Sequence, residues 1–127
     1  MHKITVLLVF IAFVFQGKAQ TDPLFMRYPA ISPDGNTIAF SYQGDIYTVA
    51  SKGGAAKRLT LHQAYEAWPI WSPDGKSIAF SSNRHGNGDV FLISAEGGTP
   101  QRLTFHSSND QPSCFSPDGT HIQYISS

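Results

Sequence analysis

Three copies of a four-residue turn constrain this chain more than any other feature. Ser-Pro-Asp-Gly stands at residues 32–35, 72–75 and 116–119, each time with an isoleucine three residues after its glycine. Proline presets φ for a tight turn, aspartate accepts hydrogen bonds from nearby amides, and glycine takes the positive φ that returns the chain to a strand. The turn prolines are 40 and 44 residues apart, so the chain repeats one hairpin-containing unit.

Each complete unit is predicted to contain four short strands. In the first unit they cover residues 29–31, 37–41, 45–50 and 57–60, and in the second 69–71, 77–81, 89–95 and 101–104. The turn between the second and third strands is longer in the second unit, at residues 83–88, and its four extra residues account for the difference in spacing. An insertion confined to a turn leaves the strands in register.

The predicted strands carry apolar residues on both faces. Ile78 and Phe80 alternate with Ala79, and Val90 alternates with Phe91, whereas a sheet with one wet face would alternate apolar with polar residues. Antiparallel four-stranded units of about 40–45 residues that are covered on both sides are typical of β-propeller blades. The sequence therefore predicts an all-β fold with two complete blades and half of a third, at about residues 29–68, 69–111 and 112–127.

Residues 1–19 are predicted to be a secretory signal peptide. After the basic Lys3, residues 4–15 form an apolar run with Thr5 as its one polar member, which is too short to cross a bilayer as a helix. Gly17 and Ala19 supply the small residues that signal peptidase requires, so cleavage is expected before Gln20. Residues 20–28 then form a lead-in, and the protein is expected to be periplasmic or secreted from a bacterium, with no membrane anchor after cleavage.

The net charge indicates which classes of partner are disfavoured, and the cysteine count excludes an internal disulfide. Without residues 1–19 the chain has seven basic and nine acidic residues, a formal net charge of −2, which does not favour binding to nucleic acid or to an anionic membrane surface. Cys114 is the one cysteine, so an internal disulfide is impossible. Because no basic residue or histidine lies close to it in sequence, Cys114 is expected to be a small buried apolar residue.

The repeat resembles the blades of TolB-like (WD40-like) β-propellers. The resemblance rests on a Leu-Thr pair at 59–60, the turn that begins with Trp71, and the segments 78–81, 89–91 and 97–98. More narrowly, residues 24–31 (Leu-Phe-Met-Arg-Tyr-Pro-Ala-Ile) look like the start of bacterial tricorn-type serine peptidases. In that family a propeller precedes PDZ-like and catalytic domains. The third unit departs from the pattern, because Phe115 replaces the tryptophan and Gln123 the alanine.

An arc of two and a half blades cannot close a ring. Closure covers the outer faces of the end blades, and each large side chain left in water there forgoes about 1.5–3 kcal/mol. We therefore expect this chain to be the front part of a longer protein, for which a homo-oligomer is one option in the full-length form. Residues 20–127 alone are expected to aggregate or to stay partly unfolded.

No catalytic, cofactor-binding or metal-binding residue is assigned from the sequence. The serines and aspartates of the turns recur at one turn position, whereas a nucleophile is needed once. His62 and His106 each follow a Leu-Thr pair by two residues and are expected to pack or form hydrogen bonds at a blade junction. Asn83, Asn87 and Asp89 lack the ligand spacing and closing glutamate of a calcium loop, so they predict a solvated hairpin.

Three functions remain open. The chain could be the non-catalytic propeller of a secreted tricorn-like peptidase, which guides peptides to a serine outside these residues and contacts protein partners. It could be a TolB-like protein-binding propeller without catalysis. It could also precede another hydrolase domain of the prolyl-oligopeptidase or amidohydrolase type. The lead-in at residues 24–31 favours the first, on resemblance alone.

Overall fold

A computed structural model describes residues 25–127, in which ten strands form three antiparallel sheets. The first sheet contains β1 (Arg27–Ile31), β2 (Thr37–Tyr42), β3 (Asp45–Ala50) and β4 (Lys57–Arg58). The second contains β5 (Glu66–Trp71), β6 (Ser77–Ser82), β7 (Asp89–Ser94) and β8 (Gln101–Arg102). The third contains β9 (Asp110–Phe115) and β10 (Ile122–Ser126). The predicted all-β fold, with two four-stranded blades and half of a third in an open arc, is confirmed.

Each sheet is a meander in which consecutive strands pair. In the second sheet, β6 pairs with β7 from Ser77–Ser94 to Ser82–Asp89 without interruption. The first strands of consecutive sheets contact each other, β1 with β5 and β5 with β9, so the sheets converge on these strands. We call β1, β5 and β9 the inner strands.

The inner strands begin earlier than predicted, at Arg27 rather than residue 29 and at Glu66 rather than residue 69. A β-bulge lies between Arg27 and Ala30, and another between Ala67 and Ile70. A proline can occupy a bulge because the ladder is already interrupted there. The prediction that these strands start at their prolines was therefore wrong, since the chain pairs on both sides of the bulge.

The outer strands β4 and β8 are shorter than predicted, with two residues each. Beyond each short strand, a threonine hydroxyl accepts the hydrogen bond of a third-strand amide. Ile46 N donates to Thr60 Oγ1 at 2.9 Å, and Val90 N donates to Thr104 Oγ1 at 2.9 Å. Both threonines are buried. The Leu-Thr pair thus closes the outer edge of each complete blade by a side-chain bond rather than by a longer strand.

The apolar core lies between the first and second blades. Ile46 from the first blade packs with Ile78, Phe80, Phe91 and Ile93 from the second. Ile78, Ala79 and Phe80 are consecutive and each is 0% exposed, so β6 is covered on both faces as predicted. Burial of each large side chain contributes about 1.5–3 kcal/mol.

Cys114 is exposed on β9, which corrects the prediction that it is buried. Its sheet has two strands, and within residues 25–127 no fourth sheet packs on its outer side. Tyr124 and Ile125 on β10 are exposed for the same reason. The predicted signal peptide and residues 20–24 of the lead-in lie outside the described residues. Among residues 25–127, no helix has the length and apolar character needed to cross a membrane.

Candidate functional site

The inner edge of the arc carries a pair of aromatic rings on strained backbone. Tyr28 and Trp68 occupy equivalent bulges and both have φ of 54°, a conformation that is uncommon for bulky residues. Their ring centroids lie 4.9 Å apart with an interplanar angle of 43°. Pro112 takes the equivalent place in the third blade. Strained residues persist where the surrounding structure fixes them, and such residues cluster at functional sites.

A cleft opens beside the inner strands at each blade interface. The one between the second and third blades has a volume of about 230 Å³ and is lined by Trp68, Asn83, Asn109, Asp110 and Gln111, among others. The one between the first and second blades, about 500 Å³, is lined by Phe25, Arg27, Tyr42 and Tyr65, among others. The cleft between the second and third blades is rich in side-chain amide groups, and the cleft between the first and second blades is rich in aromatic rings. Both could hold an extended peptide segment or a protein side chain.

The opposite end of each blade carries the repeated turn, whose serine and aspartate bond to each other. Ser72 Oγ donates to Asp74 Oδ1 at 2.6 Å, while Lys76 N donates to the same carboxylate oxygen at 2.9 Å and Ser77 N donates to Ser72 Oγ at 3.0 Å. The first and third turns repeat this arrangement with Ser32 and Asp34 and with Ser116 and Asp118. In all three turns the serine and the aspartate therefore bond to each other.

These hydrogen bonds lower the pKa of each turn aspartate. The Ser32 hydroxyl lowers the pKa of Asp34, and the Ser72 hydroxyl lowers that of Asp74. Asp118 receives hydroxyl bonds from Ser116 and Thr120, which lower its pKa to about 2. A carboxylate held ionised in this way is an acceptor for its own turn and a poor general base near neutral pH.

Neighbouring turns touch each other along this end of the arc. A methyl group added at Gly75 would lie 3.8 Å from Pro33 Cδ, and one added at Gly119 would lie 3.6 Å from Pro73 Cδ. Gly75 and Gly119 therefore each lie beside the turn proline of the preceding blade.

Buried carboxylates form ion pairs at the opposite ends of the strands. Asp45 Oδ2 lies 2.5 Å from Arg58 Nη2, and Asp89 Oδ2 lies 2.8 Å from Arg102 Nη2. Each pair joins the start of a third strand to the outer strand of its own blade. An enclosed carboxylate is tolerated when it has such a partner.

Glu66 and Asp110 are two further buried carboxylates, which the sequence analysis missed. Glu66 begins β5, is 0% exposed and pairs with Arg84, while Asp110 begins β9 and is 1% exposed. Burial raises the pKa of Glu66, and bonds from Thr60 and Arg84 oppose that rise. The signal that could have revealed them is the 44-residue spacing, since it places both acids at the same position of successive units.

The two histidines lie in the connections between blades. His62 is exposed and its Nδ1 accepts a hydrogen bond from Ala64 N at 3.0 Å. His106 is also exposed, and its carbonyl accepts from Asn87 Nδ2 at 2.8 Å. Asn87 Nδ2 donates as well to Ser108 O at 2.7 Å, so the loop at 83–88 is tied to the next connection rather than merely solvated. In the described part of the chain, no three His, Cys, Asp or Glu side chains are grouped to hold a metal ion.

A tryptophan links the first two blades directly. Trp71 Nε1 donates to Ala30 O at 2.9 Å, across the interface. The equivalent residue of the third blade is Phe115, which has no N–H and cannot make this bond. A serine makes the bond that both interfaces share: Ser41 Oγ donates to Glu66 O at 2.6 Å, and Ser81 Oγ donates to Asp110 O at 2.8 Å.

Residues 23–127 match the family model of the tricorn protease N-terminal β-propeller domain. The chain belongs to this family of propeller domains. The expected resemblance to TolB-like blades and to the tricorn N-terminal propeller is therefore confirmed. No curated protein matches the sequence.

Solved propellers resemble this tricorn-type propeller segment. A TolB-type protein from Agrobacterium tumefaciens is 29% identical, with a TM-score of 0.74 over 82% of this chain and 39% of its own. TolB from Acinetobacter baumannii is 30% identical, with a TM-score of 0.62 over 76% of this chain and 25% of its own. The tricorn protease shares the fold, at 23% identity and a TM-score of 0.65 over 74% of this chain and 10% of its own. The chain thus spans less than two fifths of each of these proteins.

Proposed function

We propose that the chain is the non-catalytic N-terminal propeller segment of a secreted or periplasmic tricorn-like peptidase. In this role it guides peptide substrates toward a serine outside these residues and contacts protein partners. The observation that carries the proposal is the match of residues 23–127 to the tricorn N-terminal propeller. The aromatic pair Tyr28–Trp68 and the two clefts offer apolar and amide groups beside the inner strands, which suits unfolded peptides of varied sequence.

The coding sequence past Ser127 tests the peptidase assignment directly. Further blades followed by PDZ-like and tricorn-type core domains would support it. An end soon after the last blade would favour a TolB-like binding propeller, which the likeness to two TolB structures keeps as the second candidate. A Gly-x-Ser-x-Gly or His-x-His motif would instead indicate a prolyl-oligopeptidase or an amidohydrolase domain.

Guiding is tested in the full-length protein by obstructing the inner edge. Arg27 is exposed on the inner strand β1, so Arg27→Cys in a Cys114→Ser background can carry a polyethylene glycol maleimide. We expect this label to slow hydrolysis of an unfolded protein without slowing that of a tetrapeptide. Lys52→Cys, on an exposed turn, is the matched control. Equal slowing by both labels would contradict the guiding role.

Export is tested separately. N-terminal sequencing of the mature protein from a bacterial periplasmic or culture fraction is expected to begin at Gln20, because the predicted signal peptide ends at Ala19. Deletion of residues 2–19 should keep the protein in the cytoplasm. A mature protein that still begins at Met1 would refute the signal peptide while leaving the peptidase assignment untouched.

A further inference from the structure

Asp110 is a buried carboxylate that is only half satisfied. Its Oδ1 accepts a hydrogen bond from Ser126 Oγ at 2.7 Å. Its Oδ2 is enclosed and meets no donor within residues 25–127. Asp45, Glu66 and Asp89 each pair with an arginine, whereas no cationic side chain within residues 25–127 pairs with Asp110. A buried carboxylate without a charged partner destabilises a fold. Asp110 also lines the cleft of about 230 Å³ between the second and third blades.

Glu66, whose Oε2 likewise meets no donor within residues 25–127, shows which kind of group pairs with such a carboxylate. It lies 44 residues before Asp110 and begins the inner strand of its own blade in the same way. Its Oε1 pairs with the Arg84 guanidinium. Arg84 Nε donates to Ser82 Oγ at 3.1 Å, and the guanidinium carbon lies 4.5 Å from the centroid of the Phe91 ring. One cation is therefore held by a carboxylate, a hydroxyl and an aromatic face.

The same arrangement is built around Asp110 as far as the described residues extend. Ser126 stands 44 residues after Ser82, and its hydroxyl is already turned toward the carboxylate. By the same spacing, the equivalent of Arg84 is position 128. The equivalent of Phe91 follows the loop whose length differs between the first two blades, so its position depends on the length of that loop in the third blade.

We propose that the residue that follows Ser127 in the full-length protein supplies a guanidinium or ammonium group that pairs with Asp110. This inference requires that the chain continue, but it does not require the continuation to end in a peptidase. The backbone of Asp110 already bonds to the second blade, because Asp110 N donates to Gly88 O at 2.7 Å and Ser81 Oγ donates to Asp110 O. A cation at Asp110 would therefore fix the third blade against the second and narrow the cleft.

The first test is the codon after Ser127. An arginine or lysine at position 128 is the expected result. An acidic or apolar residue at position 128 would overturn the proposal even if the blades continue, and the peptidase assignment would be unaffected. An immediate stop would overturn both.

The second test is a double-mutant cycle in the full-length protein. Asp110→Asn and the alanine substitution at position 128 are made singly and together, and hydrogen exchange of β9 and β10 is followed by mass spectrometry. Each single variant is expected to speed exchange on the order of 100-fold, because it leaves one member of an enclosed pair alone. The double variant should be faster than wild type by much less than the product of the two single effects.

Glu66→Gln and Arg84→Ala form the matched cycle in the second blade, with exchange followed in β5 and β6. We expect both cycles to show coupling. Effects at Asp110 and position 128 that simply multiply would overturn the proposal. Protection of β9 in the wild-type protein by free arginine, but not by the same concentration of sodium chloride, would also overturn it, because the cleft would then take an external cation.

Discussion

The two blade interfaces share a backbone frame but differ in the side chains that fill it. At both interfaces a serine hydroxyl on the second strand of one blade donates to the carbonyl of the first residue of the next inner strand. The amide of that first residue in turn donates to a glycine carbonyl of the preceding blade, from Glu66 N to Gly44 O and from Asp110 N to Gly88 O. The first interface adds an apolar core and the Trp71 bond. The second adds the Asn87 bonds from the longer loop. The shared frame sets the geometry of stacking, and the variable contacts set the strength of each interface.

Removal of the core at the first interface should have the largest effect. Phe80 is 0% exposed and packs in the cluster that joins the first two blades. We expect Phe80→Ala in the full-length protein to cost about 3–5 kcal/mol, with exchange in β1 and β2 rising more than in β9 and β10. Phe115→Ala, at a half-buried site in the third blade, is the control and should cost less. An equal loss of protection in all three sheets would show that the interfaces are not independent.

Loss of the hydrogen bonds made by Asn87 in the 83–88 loop should destabilise only the second interface. Asn87→Ala removes the donations to His106 O and Ser108 O, and we expect a cost of about 1–3 kcal/mol at about 0.5–1.5 kcal/mol for each bond. Hydrogen exchange at residues 106–110 reports the loss. Asn36→Ala, at an exposed turn position, provides the control. Faster exchange in β1 rather than in the third blade would contradict the assignment.

Substitution of Trp71 by Phe and of Phe115 by Trp tests whether the contacts of one interface can be altered without disturbing the shared backbone hydrogen bonds. Trp71→Phe removes the donation to Ala30 O and should destabilise the first interface by about 0.5–1.5 kcal/mol. Phe115→Trp places an indole at the equivalent position of the third blade, where we expect it to donate to Ile70 O and slow exchange in β9. Thermal melting of the two variants and of their combination measures both effects. Destabilisation by Phe115→Trp would show that the two frames differ more than their hydrogen bonds suggest.

The smallest expected effect is the change in folding stability at acidic pH. The pKa values of Asp34, Asp74 and Asp118 are lowered by hydroxyl bonds, so their turns contribute full stability above the ordinary value of 3.8 and lose it as pH falls through the folded pKa. For Asp118 that loss extends down to about pH 2. Glu66 acts in the opposite direction, because its raised pKa favours the fold at low pH and that contribution is lost as pH rises.

Titration of the Asp118 carboxyl by NMR should therefore give a pKa of about 2. Thr120→Val removes the second hydroxyl and should raise this pKa, since Thr120 Oγ1 donates to Asp118 Oδ1 at 2.7 Å. Asp74, which has one hydroxyl donor, should be unchanged by the same variant. A Thr120→Val protein with the same Asp118 pKa would show that the Thr120 hydroxyl does not contribute to the lowering.

The repeat was predictable because its turns and strand patterns are local. Proline, aspartate and glycine determine a turn within four residues, and the alternation of Ile78, Ala79 and Phe80 indicates two covered faces. The bulges at Tyr28 and Trp68 were not predictable, because proline in a sequence indicates an interrupted ladder but not whether pairing resumes beyond it.

The residues of the interfaces were harder to predict, because their roles depend on a neighbouring blade. Glu66 and Asp110 appear in the sequence as ordinary charged residues before a strand, and their burial follows from the preceding blade. Asn87 was assigned to a solvated hairpin because its acceptors lie about 20 residues farther along the chain. Cys114 is exposed because, within the described residues, its sheet has a neighbour on one side only.

The position of Gly75 and Gly119 beside the preceding turn prolines bears on how such a chain can grow. The second Ser-Pro-Asp-Gly turn bonds its own serine and aspartate, places Gly75 beside the preceding turn proline and places Pro73 beside the following turn glycine. A copy of the unit inserted in tandem would therefore find a fitting surface on both sides at this end of the arc without further substitutions. The gene can lengthen by duplication of whole units first, and the loops and aromatic positions can diverge afterwards.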